Sequence, residues 1–134
     1  MTRGVDRKRP GNKVERVGWI VSGLVGLFLL ADAAMKLIRL PIVIETTVSL
    51  GWPEGSAVPL GIILLISTLL YLYPRTSLFG AILLTGYLGG AIATHARIGS
   101  PLFTHTLFGS YVAILMWFGL VLRDAKLRSI LRPL

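Results

Sequence analysis

Cysteine is absent from this 134-residue chain, and histidine and acidic residues are scarce, at two and six. Without a thiol there can be no disulfide framework, thiolate metal site or iron–sulfur cluster. Any redox role must therefore rest on a group held without covalent attachment. Charged residues make up only 15% of the chain, well under the roughly one quarter usual in soluble domains. What is abundant is apolar: 54% of residues, gathered into four long runs. The bilayer is the natural solvent for such a chain, which is expected to form a single membrane domain over residues 1–134, with four helices of about 20 residues using most of it.

The runs cover residues of about 17–38, 57–73, 77–96 and 107–122. Each is near the ~20 residues that a helix needs to cross the hydrocarbon while satisfying its own backbone polar groups. The expected fold is all-α, an integral membrane four-helix bundle flanked by basic tails at 1–16 and 123–134. Trp19, Tyr71, Tyr73 and Trp117 suit rings anchored near the headgroups.

Basic residues are unevenly shared between the two faces of this arrangement. Eleven of them (Arg3, Arg7, Lys8, Arg9, Lys13, Arg16, Arg75, Arg123, Lys126, Arg128 and Arg132) fall on the side of the termini, against Lys36, Arg39 and Arg97 on the other. The positive-inside rule then predicts a multi-pass protein with both termini cytoplasmic. The formal charge of +8 brackets apolar runs instead of interleaving with aromatics, so it suits anionic lipid headgroups and argues against nucleic acid. Ala31-Asp32-Ala33 has the small-x-small form of a signal cleavage site, but the apolar run before it is longer than a signal core.

Between the first two spans, Pro41 opens a connection whose middle, Ile42 to Leu50, is too apolar for a free linker and too short to cross. An interfacial or re-entrant segment over the bundle mouth is expected there. Pro74-Arg75-Thr76 predicts a tight turn that makes the second and third spans antiparallel neighbours. Gly18, Ser22 and Gly26 recur at four-residue spacing in the first span, and Gly86 and Gly90 in the third with Gly89 beside them. Small faces of this kind let helices approach closely in lipid, within one chain or between copies in a homo-oligomer. Leu88 then belongs to the opposite, lipid-facing side.

Ionisable groups inside spans are costly and tend to face a partner or a wet cavity. Asp32 and Lys36 form an i, i+4 pair with the acid first, on the Gly18 side of the first helix. Because the first and third spans run in the same direction, Thr94, His95 and Arg97 reach the same depth, joined across the loops by Glu45 and His105. A pocket with an acid, fixed cations, an imidazole and an apolar floor suits a quinone, another prenylated headgroup or an anionic lipid. On an ideal helix Arg97 lies within about 20° of Gly86 while His95 lies about 180° away, which would turn Arg97 towards the site and His95 away from it. Two histidines and no cysteine give no metal site, and no nucleophile constellation or phosphate loop is present.

The run from Leu84 to Arg97, LTGYLGGAIATHAR, resembles the third-helix motif of the DoxX-like family. Met35-Lys36-Leu37, Gly51-Trp52-Pro53, Leu72 to Thr76 and Leu120 to Asp124 fit the same pattern, so the likeness covers residues of about 17–133. It implies a four-helix protein of a bacterial-type inner membrane, of mostly unassigned biochemistry; the broader family is named for a small subunit linked to quinone-dependent oxidation of sulfur compounds, and some relatives are associated with membrane oxidoreductase assemblies. The resemblance carries the fold and not the chemistry; the expected function is an accessory subunit that holds a quinone or lipid for an oxidoreductase partner. A stand-alone membrane enzyme, a small-solute transporter and a structural scaffold are the other readings.

Overall fold

The computed structural model describes residues 12–132; the amino-terminal residues of the first basic tail lie outside the described residues. Every regular element described is helical. Helix α1 spans Asn12–Leu37, α2 Pro41–Ser49, α3 Ala57–Leu72, α4 Ser77–Arg97, α5 Phe108–Arg123 and α6 Ala125–Leu131. Four stretches are long and apolar enough to cross a membrane: Lys13–Leu37, Glu54–Leu72, Ser77–Arg97 and Leu102–Arg123. The first helix starts earlier than its apolar run because the basic residues preceding it continue the helix. Within the carboxyl-terminal basic tail, Ala125–Leu131 form α6, capped where the Asp124 carboxylate accepts from the Leu127 N–H at 3.0 Å.

Chain punctuation sets the helix ends. Arg39 adopts φ 56° just beyond α1, and its left-handed backbone lets the Leu40 N–H return to Met35 O at 3.3 Å. Gly99, at φ 70°, closes α4 in the same way, with the Ser100 N–H donating to His95 O at 3.0 Å. A π-helical turn at Leu102–Thr106 leads into α5.

Helices α1, α3, α4 and α5 stand at the corners of a square, α1 touching α3 and α5, and α4 touching the same two from the opposite corner. The centre is filled by Leu29, Leu64, Tyr71, Leu84, Met116 and Leu120, all nearly inaccessible. Most outward side chains are large and apolar, as lipid contact requires. Tyr71 carries a polar tie through this centre: its hydroxyl donates to Met116 O at 2.7 Å and lies 2.9 Å from Ser22 Oγ, joining α1, α3 and α5.

The small faces divide in two. At Gly18 an added Cβ would collide with the Leu122–Arg123 backbone, and at Gly26 it would meet Leu72 Cδ2 at 2.7 Å. Ser22 packs against Gly119, so α1 uses its small face for close approach to α5 and α3. The expectation for α4 is overturned. At Gly86, Gly89 and Gly90 an added Cβ would have nothing within 4 Å, whereas Leu88, expected to face lipid, is buried. The packing face of α4 is Ala81, Leu84 and Leu88, about 180° round the helix from Gly86.

Near the termini Arg123 is buried between the rings of Trp19 and Tyr71, its guanidinium carbon 4.4 and 4.6 Å from their centroids. Its Nη2 donates to Tyr71 O. Cation–π contact on both faces compensates part of the cost of keeping this cation out of water, and the planar guanidinium suits a slot that an ammonium would not fill.

Candidate functional site

At the end of the bundle remote from the termini the four long helices leave a cavity of about 800 Å³. Its floor is apolar, formed where Leu29, Leu88 and Val112 close the centre. Its roof is α2. Pro41 occupies the first turn of that helix, where a missing N–H costs nothing, and the nine-residue length is too short to cross, so α2 lies over the mouth as a lid. Ile42, Val43, Thr46 and Thr47 of α2 line the cavity from above. The Thr46 and Thr47 hydroxyls donate to Ile42 O and Val43 O, each at 2.7 Å, leaving acceptor lone pairs on the underside of the lid.

Asp32 and Lys36 face into this space from α1. The Lys36 ammonium donates to Asp32 Oδ1 at 2.6 Å, with side chains 15% and 31% exposed, so the pair is sheltered without being sealed. From α4, Thr94 and His95 reach the same cavity, and His105 comes from the π-helical turn. The two imidazole rings meet edge to face at 5.9 Å. His95 Nδ1 pairs with Ser100 Oγ at 3.0 Å and His105 Nδ1 with Thr104 Oγ1 at 2.7 Å, so neighbouring hydroxyls orient both rings.

Five of the expected site residues, Asp32, Lys36, Thr94, His95 and His105, thus converge, and two do not. Arg97 points off the cavity and donates from Nη2 to Leu50 O at 2.8 Å, its guanidinium lying against Gly51. Gly51 sits at φ 91°, a left-handed backbone that favours glycine, and a side chain there would push the Arg97 guanidinium aside. Glu45 is on the upper side of α2, beside Trp52 and Glu54 in a separate shallow groove. The reversal of His95 and Arg97 has one cause. The cavity face of α4 is centred on Tyr87, Ala91 and Thr94, about 90° round from Gly86, so Gly86 and Gly90 mark one edge of it and His95 the other.

Tyr87, Ser67 and the lid threonines also line the cavity, although the sequence pattern does not single them out. Tyr87 was discoverable as the residue one position beyond Gly86 in the LTGYLGGAIATHAR run. Ser67 lies in a run of leucine and isoleucine with no pattern to mark it. Among the described residues no three His, Asp or Glu side chains gather as metal ligands.

A model of the DoxX-like family matches residues 20–119. The chain belongs to that family. The matched stretch includes all four cavity walls and the lid, while Leu120 to Asp124 and α6 fall beyond it. Neither the curated proteins nor the solved structures contain a match to this DoxX-like chain. Membership gives the architecture, and chemistry must come from the cavity itself.

Proposed function

We propose that this DoxX-like protein is a small accessory subunit of a membrane oxidoreductase system, holding a quinone or similar lipid-like amphiphile in the cavity beneath α2. The observation that carries this reading is the polarity gradient of the cavity. An ion pair and two oriented imidazoles line the end under the lid, and towards the bundle centre the lining is mostly apolar, with Tyr87 and Ser67 as its polar exceptions. A ligand with an oxygen-bearing head and a hydrocarbon tail satisfies both parts, whereas a small hydrophilic solute leaves the apolar part unfilled. Lys36 and the imidazoles can donate to head-group oxygens, and Asp32 can accept from a hydroxyl. The absence of cysteine accords with a holder of a redox molecule that relies on a partner for electron transfer.

The basic asymmetry supports an inner-membrane orientation with both termini cytoplasmic and the lid on the outer face. Reporter fusions at the two termini test it, and a reporter active only outside the cytoplasm refutes it. For the ligand, protein purified in mild detergent is extracted with solvent and its quinones and lipids quantified by mass spectrometry. Enrichment of one quinone or amphiphile over its share in the membrane supports the reading. An extract with bulk-membrane composition overturns it and leaves a scaffold.

A further inference from the structure

Four seams join neighbouring helices around the cavity, and three of them are closed at its level. Between α1 and α3 a Cβ on Gly61 would press on Lys36 Cβ at 2.9 Å, so those backbones touch. Between α4 and α5 a Cβ added to Gly109 would meet Ile92 Cγ1 and Leu88 O, each at 3.0 Å. Between α1 and α5 the rings of Phe28 and Phe108 meet edge to face at 5.8 Å. The seam between α3 and α4 differs along its length. It is tight beside the turn, where Gly80 packs on the Leu70–Tyr71 backbone, but further along Gly86 and Gly90 face open space. These two glycines line the cavity and are also exposed, as are Ile63 of α3 and Ile82 of α4. The missing side chains therefore leave open space on this side of α4, where the cavity borders the surrounding apolar medium.

We propose that this open space is a window, a lateral portal through which a single-chain membrane amphiphile enters and leaves the cavity, its hydrocarbon tail lying across Gly86 and Gly90. The proposal rests on the amphiphile reading of the cavity and adds a route and a shape to it. A ligand coming from water would have to pass the lid, where α2 is tied to the end of α4 through Arg97 and Leu50 O. A ligand dissolved in the bilayer meets no such barrier, because an apolar chain sliding between Ile63 and Ile82 exchanges one hydrocarbon neighbour for another. The polar end of the cavity lies beyond the window, so the head reaches Asp32 and Lys36 while the tail still occupies the opening. Glycine at these positions costs helix propensity, about 1 kcal/mol each relative to alanine, and no helix packs there to compensate.

The test uses full-length, delipidated protein reconstituted into phosphatidylglycerol vesicles containing palmitic acid with a tail diazirine. Photolabelling is read at Leu29 and Val112, which line the cavity and are only 2% and 8% exposed, and is normalised to Leu27, which is 67% exposed on the outside of α1. The wild-type chain labels at Leu29 and Val112. Gly86→Leu and Gly90→Leu, which fill the window, keep the thermal midpoint and slow labelling inside by about tenfold. Gly89→Leu, also in open space but off the cavity, labels as the wild type does. Wild-type rates in the folded Gly86 and Gly90 variants overturn the portal and leave the amphiphile reading standing. No labelling of Leu29 or Val112 in the wild-type chain defeats the amphiphile reading and the portal with it. If a leucine variant melts early, Gly86→Ala and Gly90→Ala carry the comparison, with a smaller slowing expected and unchanged rates overturning the proposal.

Discussion

Replacing Asp32 by asparagine removes the acid from an ion pair at 2.6 Å while keeping the shape of the side chain. The cost follows from how sheltered the pair is. Fully buried pairs lose about 3–5 kcal/mol when one partner goes, and exposed pairs are worth about 0–1 kcal/mol. Lys36 and Asp32 side chains are 15% and 31% exposed, between those limits, and a freed Lys36 can bend its long stem towards the polar end of the bundle. The expected loss is therefore about 1–3 kcal/mol for Asp32→Asn. Lys36→Met alone leaves an acid facing the cavity and costs a similar amount. The double variant removes both charges, so its loss falls short of the sum of the single losses by about 1–2 kcal/mol. Reversible unfolding in mixed micelles supplies the three values. Additive losses, with no coupling between the two positions, would show that the contact carries no energy and refute the reasoning.

Gly18→Leu forces a side chain into the Leu122–Arg123 backbone and should cost more than 3 kcal/mol, roughly the overpacking limit, whereas Gly86→Leu should leave the melting temperature unchanged or raised; equal losses at both contradict the division of the small faces. Tyr71→Phe strips two buried hydrogen bonds and should destabilise by about 1–2 kcal/mol in detergent unfolding, an effect that Ser22→Ala only partly reproduces. Arg97→Gln unties the lid, so hydrogen exchange should rise across residues 42–50 while α1 and α5 keep their protection; unchanged exchange shows that the Leu50 O contact does not hold α2.

Spans and class were readable because long apolar runs admit few structures in a bilayer, and the flanking prolines and glycines mark where helices stop. The lid was readable as a short apolar segment behind Pro41, though its helical form was not. The shared end of the bundle was also legible: the first and third spans run the same way, and Asp32, Lys36, Thr94 and His95 line one cavity there. Rotation about each helix axis was not. The same small residues that let α1 approach α5 at Gly18 stand open at Gly86, since a glycine face looks identical in sequence whether a helix or a cavity lies beside it. That ambiguity misdirected Arg97, His95 and Leu88 together, because all three were oriented from Gly86. Glu45 was misplaced for a related reason: one face of a nine-residue helix is covered and the other open, and its composition does not say which.

Native mass spectrometry of the chain released from lipid nanodiscs tests the central claim, that the cavity beneath α2 holds an amphiphile by its head at Asp32 and Lys36. The wild-type protein should carry one additional mass of a quinone or single-chain amphiphile per chain, and the folded Asp32→Asn, Lys36→Met double variant should carry none. A wild-type chain that flies bare, or equal loading of both proteins, would contradict the account.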